Sequence, residues 1–205
     1  MKLLRVFRCV ASSLITSICG LALTGCSSTP NTQTIQADAL RDTAAAEASN
    51  AKAIEEIKDD NLEEAERLLR RAIEHDPRFV PAHNNLGSVL LRGNRYYEAA
   101  TAFERAVTLA PNEPEPHNNL GLVLETVGRR SEAIEPYSRA VELDPQNPEY
   151  TGNLLRLLTR LDAEPTKRRE LIDQLSRIET RPEWRKWIER QRRLQERVTN
   201  DSPPQ

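Results

Sequence analysis

Residues 85–111 read NLGSVLLRGNRYYEAATAFERAVTLAP, and residues 119–145 read NLGLVLETVGRRSEAIEPYSRAVELDP. The two stretches align without a gap, and a weaker copy precedes them between about residues 46 and 79. We call the constant offset from one copy to the next the period. Four positions recur in all three copies: Ala65, Ala99 and Ala133; Leu69, Phe103 and Tyr137; Ala72, Ala106 and Ala140; Pro77, Pro111 and Pro145. The period is 34 residues, and a fixed period of this length indicates stacked structural repeats.

The residue types at these positions predict a helical hairpin in each copy. Gly87 and Gly121 remove a side chain where the first helix crosses the second, and the alanines do the same from the second helix while favouring helix formation. The prolines cannot continue a helix, so each one ends a unit. A lone hairpin would leave an apolar face exposed, so at least three units must stack to bury a core. We therefore predict an all-α fold.

The 34-residue period, with its Leu-Gly pair, alanines, bulky residue and proline, resembles the tetratricopeptide repeat (TPR), a helix–turn–helix unit. The resemblance covers about residues 46–160. Lys52-Ala53 departs from it, because the later copies have Leu-Gly there. The resemblance implies a right-handed α-solenoid of about three repeats, at residues 46–79, 80–113 and 114–147.

Short turns separate the two helices of each copy. We expect left-handed backbone in Asp59-Asp60-Asn61, Gly93-Asn94-Arg95 and Gly128-Arg129-Arg130, since Gly, Asn and Asp favour that conformation at a helix end. The helical pattern begins near Thr43, so the repeats should occupy residues 43–147. Pro136 falls inside the second helix of the third copy and should kink it slightly.

Residues 148–198 predict a partial fourth repeat followed by capping helices. Asn153-Leu154 restarts the pattern, but Leu155 stands where a glycine is expected. Thr180 and Glu183 form a capping box that predicts a last helix ending near Val198. We expect residues 199–205 to be a disordered tail. One side of the last helix should carry Trp184, Trp187, Ile188 and Leu194.

Residues 1–25 have the pattern of a secretory signal peptide, with a basic start and an apolar run too short to span a membrane. The run ends in Leu23-Thr24-Gly25-Cys26, which resembles the lipobox of bacterial lipoproteins. The resemblance implies cleavage before Cys26, a diacylglycerol on its thiol and acylation of the new amine. Ser27, where an Asp would favour the inner membrane, indicates the outer membrane, facing the periplasm. Residues 26–42, rich in Ser, Thr, Asn and Gln, predict a flexible tether.

Nucleic acid is not an expected partner, because a lipid-anchored, exported protein rarely meets any. The chain holds 29 Lys and Arg against 31 Asp and Glu, a formal net charge of −2. Residues 165–205 are locally basic, with 11 Lys and Arg against 7 Asp and Glu. This basic end is compatible with docking against the acidic repeats, with solvated arginines, or with contact to anionic lipid or cell-wall polymer.

No motif predicts catalysis, a metal site, a cofactor or a small-molecule substrate. His83 and His117 lie one period apart at a position that is usually bulky in TPRs, so we interpret them as packing residues. Cys9 and Cys19 would leave with the signal peptide, and Cys26 would be acylated. The mature chain would therefore have no thiol for a metal or a disulfide.

The resemblance implies that the first helices line a concave groove that receives an extended or helical segment of a partner protein. Asn85, Asn119 and Asn153 precede the Leu of each first helix, and an amide can both donate to and accept from a peptide backbone. We expect the side chains of Asn85 and Asn119 to face solvent in the free protein. The residues expected to line the groove are Asn84, Asn85, Ser88, Leu91, Arg92, Asn118, Asn119, Leu122, Glu125, Thr126, Asn153 and Arg156.

These features predict a non-catalytic, lipid-anchored adaptor or scaffold of the bacterial cell envelope. By resemblance, such lipoproteins organise pilus or secretin assembly, outer-membrane protein assembly, or the control of cell-wall enzymes. Asn50 and Glu115 stand where some TPR cochaperones have carboxylate-clamp lysines, so that binding mode is not expected. Two alternatives stay open: a self-associating structural protein, and a platform for an enzyme of envelope polymers. Trp184 and Trp187 could stack on a sugar ring, although their spacing is more typical of a core.

Overall fold

The computed structural model of the chain describes residues 41–200, which form nine α-helices with no β-strand in that range. The all-α prediction is therefore confirmed. The helices are α1 (Thr43–Lys58), α2 (Leu62–His75), α3 (Val80–Arg92), α4 (Tyr96–Leu109), α5 (Pro114–Thr126), α6 (Ile134–Leu143), α7 (Pro148–Arg160), α8 (Pro165–Ile178) and α9 (Pro182–Asn200). The predicted signal peptide, Cys26, most of the tether and residues 201–205 of the predicted tail lie outside the described residues.

Asp42, at the end of the predicted tether, is part of the folded unit. Its carboxylate accepts a hydrogen bond from the Ala45 N–H at 2.9 Å and so caps α1. Its own N–H donates to the His75 carbonyl at the end of α2, also at 2.9 Å. The residue before α1 is thus bonded to both helices of the first hairpin.

The turns between paired helices use the same backbone geometry, and they confirm the expectation of left-handed residues. Asp60, Asn94 and Gly128 have φ of 63°, 59° and 84°. Asp162 follows one period after Gly128 with φ of 49°, so α7 and α8 are joined by a fourth turn of the same kind. In each turn the next N–H bonds back to the carbonyl five residues earlier, as Arg95 does to Leu90 at 2.9 Å. This is the Schellman arrangement, which satisfies carbonyls at a helix end.

Each of the first three hairpins is packed around a small residue on the first helix and a large one on the second. The recurring alanines, and Leu69, Phe103 and Tyr137 between them, have no exposed surface. A Cβ added to Gly87 would lie 2.6 Å from a ring carbon of Phe103, and one added to Gly121 would lie 2.7 Å from the Tyr137 ring. The prediction of close helix crossings at these glycines is confirmed.

Pro136 shortens α6 instead of kinking it. The helix begins at Ile134, and residues 130–133 form turns in which the Ala133 N–H bonds to the carbonyls of Arg129 and Arg130 at 3.2 Å. Proline has no N–H to give to the carbonyl of Glu132, and its ring crowds that carbonyl. The α-helix therefore starts about one turn later than the equivalent α4.

The C-terminal helices stay in register with the repeats, although their residues differ. Leu171 on α8 is buried at the position of Phe103 and Tyr137, and it faces a helix that carries Leu155 in place of glycine. α9 begins at Pro182, one period after α7 begins at Pro148. The start of α9 differs from the expected Thr180 capping box. The Arg185 N–H bonds to the Arg181 carbonyl at 3.1 Å, which makes Arg181 the first residue of the helical bonding pattern.

The first helices form the inner layer of the stack. α1 contacts α3, and α3 contacts α5, whereas no comparable contact joins α2 to α4 or α4 to α6 among the described helices. A two-layer stack bends toward the layer whose members lie closer together. α1, α3 and α5 therefore line the concave side, and α7 continues this row through the hydrogen bond from Asn153 to Asn118.

Candidate partner-binding surface

A row of asparagine amides joins consecutive first helices. The Nδ2 of Asn85 donates to the Oδ1 of Asn50 at 2.9 Å. Asn119 donates to Asn84 at 3.0 Å, and Asn153 donates to Asn118 at 2.8 Å. Each bond spans slightly more than one period, so the second Asn of one repeat reaches the first Asn of the repeat before it. We call the residues Asn50, Asn84, Asn85, Asn118, Asn119 and Asn153 the asparagine ladder.

The ladder corrects the expectation that Asn85 and Asn119 face solvent, since both are half-buried and donate along it. The other expected groove amides are buried more deeply. Asn84, Asn118 and Asn153 are only 6%, 4% and 8% exposed, because the amides lie between two first helices. A buried amide must be hydrogen-bonded, and the bonds along the ladder meet that requirement. Asn84 also donates to the Glu115 carboxylate at 2.9 Å. These three residues hold the repeats in register before any partner is present.

Asn85 and Asn119 keep some capacity for a partner. Both are half-buried and each gives an Nδ2 hydrogen to the ladder. Among the described residues, Asn85 Oδ1 accepts no hydrogen bond, and Asn119 Oδ1 accepts only a long one from Asn118 at 3.5 Å. An incoming N–H can therefore bond to either oxygen without breaking the ladder.

Glu125 and Arg92 of the expected groove also bond within the fold. Glu125 is buried, accepts from the Tyr137 hydroxyl at 3.2 Å and pairs with Arg160. Burial, with the Glu125 carboxylate beside it, raises the pKa of Tyr137. Arg92 donates to the Ile57 carbonyl at 3.2 Å and pairs with Asp60, so it closes the C-terminal end of α1. The remaining expected residues Ser88, Leu91, Leu122 and Arg156 are half-buried, and Thr126 is exposed.

Asn50 and Glu115, noted in the sequence for the absence of clamp lysines, both serve the ladder. Asn50 is its first acceptor, and Glu115 accepts from Asn84. Neither residue was among those expected to line the groove. The signal that could have found Asn50 is its position one period before Asn84.

The histidines are packing residues, as expected. The Nε2 atoms of His83 and His117 lie 3.0 Å from the carbonyls of Pro77 and Pro111, and both rings are buried. Burial lowers the pKa of His83. The third proline carbonyl of the series, on Pro145, accepts instead from Gln174 on α8 at 2.7 Å. An amide from the capping region thus takes the place of the imidazole.

The C-terminal end of the groove differs from the rest. Gly152 stands one period after Asn118, and a Cβ there would lie 3.0 Å from a ring carbon of Trp184. Trp184 and Trp187 meet edge to face, with ring centroids 5.5 Å apart. Both rings, together with Arg156 and Glu183, line a cavity of about 230 Å³. The spacing of the two tryptophans favoured a core position over stacking on a sugar ring, and nothing in the sequence predicted this cavity.

Comparison with known proteins supports the same repeat type. Two family models described as tetratricopeptide repeat match residues 50–114 and 114–147. A structure of Pseudomonas aeruginosa PilF is similar, at 25% identity and a TM-score of 0.62, over 68% of this chain and 64% of that one. A Thermobaculum terrenum O-GlcNAc transferase mutant matches at 30% identity and a TM-score of 0.60, over 67% of this chain but only 26% of its own.

A further structure shares the fold. The first TPR of Spaghetti (RPAP3), bound to the HSP90 peptide SRMEEVD, has 22% identity and a TM-score of 0.58, over 60% of this chain and 98% of its own. A search of curated protein sequences found no match to this chain. Residues 50–147 are therefore tetratricopeptide repeats, and the described chain is a TPR-type α-solenoid.

Two properties of the described residues bear on function. Within residues 41–200, no helix is long and apolar enough to cross a bilayer. The same part of the chain has no group of three or more His, Cys, Asp or Glu side chains placed to hold a metal ion. Tetratricopeptide repeats, the family matched by residues 50–147, act in protein–protein interaction.

Proposed function

We propose that this protein is a lipid-anchored, non-catalytic adaptor that binds a segment of a partner protein on its concave face. The observation that carries the proposal is the pair Asn85 and Asn119, whose amides are fixed by the ladder while their oxygens can still accept. Rigid, prepositioned polar groups lose little entropy on binding. The RPAP3 repeat, a protein of the same fold, is seen with a bound peptide.

The envelope location is part of the same proposal and rests on the leader sequence. Leu23-Thr24-Gly25-Cys26 would place acyl chains on Cys26, and more than one chain is needed for stable membrane anchoring. Ser27 favours the outer membrane. Only residues 27–42 separate the anchor from α1, so the repeats would work close to the membrane, in the periplasm.

Site-specific photo-cross-linking in intact bacteria tests the binding face. We expect a photoreactive residue at Leu122, on the concave side of α5, to capture a partner protein. The same residue at the exposed Glu104 on α4 should capture little. Equal capture at both positions would contradict a groove-binding adaptor. Capture of a second copy of this chain would instead favour the self-associating alternative.

Metabolic labelling with an alkynyl fatty acid tests the anchor. We expect the parent chain to be labelled and Cys26→Ala to be unlabelled and mislocalised. Equal labelling of the two chains would contradict the lipoprotein assignment and leave the binding face untouched.

A further inference from the structure

The cavity at the C-terminal end of the groove has the size and chemistry of a side-chain pocket. Its volume is about 230 Å³, and its walls include both indole rings. An apolar cavity of about 150 Å³ is enough to hold benzene. The pocket can therefore hold one aromatic side chain.

The pocket continues the ladder in register. Trp187 stands one period after Asn153, and Arg190 stands one period after Arg156. A partner segment lying along Asn85 and Asn119 would reach the pocket at the end of the same row.

The walls of the pocket are held from several sides. Trp184 sits against Gly152, and the Arg181 guanidinium lies 5.1 Å from the centroid of its ring. Trp187 meets Trp184 at an interplanar angle of 70°. A ring supported in this way is preorganised to receive another ring edge to face.

Arg156 places at the pocket a guanidinium that no carboxylate of the described chain pairs with, and Glu183 lines the same pocket without bonding to it. By contrast, Arg160 on the same helix pairs with the Glu125 carboxylate. Half-buried Arg156 donates to the Asn153 oxygen at 2.9 Å but forms no ion pair within the described residues, even with Glu183 across the pocket. A guanidinium that has no carboxylate partner favours an acidic group on the ligand.

We propose that this pocket holds an aromatic side chain of a partner segment, and that an adjacent Asp or Glu of that segment pairs with Arg156. The inference rests on the proposed adaptor function and adds the chemistry of the segment that binds. Only two polar side chains line the pocket, which favours an aromatic ring over a sugar with its many hydroxyl groups.

Selection of a phage-displayed library of random dodecapeptides against the purified full chain tests this specificity. We expect the selected peptides to share an aromatic residue next to Asp or Glu. Trp184 and Trp187 are the only tryptophans of the chain, so a synthetic selected peptide that lacks tryptophan should shift the intrinsic emission.

Matched variants assign each half of the motif. Trp187→Ala should lower the affinity for the selected peptide by at least about tenfold. Trp187→Phe should retain most of that affinity because a ring remains. Arg156→Gln should lower the affinity for that peptide by about tenfold. It should leave unchanged the affinity for a peptide in which Gln replaces the Asp or Glu. Glu104→Ala, on α4, should bind as the parent does. Circular dichroism checks that each variant is folded.

The outcomes separate the inference from the function beneath it. Selected peptides without the aromatic–acidic pair, or equal binding by Trp187→Ala and parent, would overturn the inference and leave groove binding intact. An emission shift with chitooligosaccharide and none with peptide would overturn it in favour of a sugar site. Recovery of no binding peptide at all would overturn the adaptor function itself.

Discussion

The two interfaces on either side of α7 have different residues at one equivalent repeat position, and these residues make different kinds of contact. Toward α5, Asn153 bonds to Asn118 in a buried amide pair. Toward α9, Gly152 occupies the equivalent of Asn118 and receives the indole of Trp184. A polar contact joins repeat to repeat, and an apolar contact ends the series. The difference shows that one repeated backbone position can fix the register between repeats with a polar side chain and mark the end of the stack with glycine.

The physical reason lies in what each contact demands. A buried amide is costly unless its partner is in place, so an asparagine pair disfavours any shift of one repeat against the next. An indole on a glycine has no such partner requirement and tolerates small displacements. The C-terminal interface therefore constrains the register of the stack less strictly than the inner interfaces do.

The largest effect should come from filling a close crossing in the inner repeats. Gly121→Leu inserts a side chain where even a Cβ lies 2.7 Å from the Tyr137 ring. Overpacking of this kind should cost about 3 kcal/mol or more of unfolding free energy. Urea denaturation measures the cost. The control is Gly93→Ala, whose Cβ would meet only ordinary contacts at 3.5 Å and which should be neutral or slightly stabilising. Equal midpoints for both variants would mean that the helix crossing is not tight.

Removing one rung of the ladder should have the next largest effect. Asn118→Ala leaves the buried Nδ2 of Asn153 without its acceptor, which should cost about 2 kcal/mol. Exposed Glu104→Ala should stay within about 0.5 kcal/mol of the parent. Thermal melts of both variants provide the comparison. If Asn118→Ala is as stable as Glu104→Ala, the ladder does not hold the repeats together.

A glycine-to-alanine substitution should affect stability differently at the inner helix crossing and at the end of the stack. Gly121→Ala forces its Cβ against Tyr137 and should destabilise the protein, whereas Gly152→Ala requires the Trp184 ring to move by only a few tenths of an ångström. Replacing glycine by alanine within a helix stabilises it by about 1 kcal/mol in each case. At Gly152 this gain offsets the small displacement of the Trp184 ring, so Gly152→Ala should be close to neutral. It should still shift the tryptophan emission. A larger loss of stability for Gly152→Ala than for Gly121→Ala would reverse this assignment.

The smallest effect should be a local pH dependence at the start of α9. Hydrogen bonds from Arg181 hold the pKa of buried Glu179 at about 2, below its ordinary value of 4.5. A depressed carboxyl pKa stabilises the folded state above pH 4.5, and that contribution is lost as the pH falls toward 2. We expect tryptophan emission to report loosening of α9 over this interval.

Glu179→Gln is the matched variant for the pH experiment. It has no carboxyl group to titrate, so its emission should vary much less between pH 4.5 and 2. An identical pH profile in the parent and the variant would exclude Glu179 as the group that holds α9 in place.

Much of the fold could be predicted because its determinants lie within one repeat. Gly87 and Phe103 belong to the same hairpin, and their size difference alone indicates a close crossing. The left-handed turn residues could be located from the preferences of Asp, Asn and Gly. Pro136 was misjudged because proline near a helix start can delay the helix as well as kink it, and the length of the preceding turn decides between the two.

The candidate site was harder to predict because its contacts join different repeats. The Asn-Asn pair is visible in the sequence, and its place on the first helix was inferred correctly. Whether Asn84 and Asn118 meet solvent or another amide depends on how closely two first helices approach. That distance is set by the packing of the whole stack, including the small residues that let the helices come together.

The sequence by itself determined the repeat: its period, its turns and the residues that pack inside each hairpin. Only the tertiary structure decided the amide bonds between repeats, the replacement of histidine by Gln174, and the meeting of Gly152 with Trp184. The physical reason is the range of the interactions. Propensity and periodicity act within a helix or a hairpin, whereas hydrogen bonds between repeats form only where the stacked backbones bring their donors and acceptors within about 3 Å.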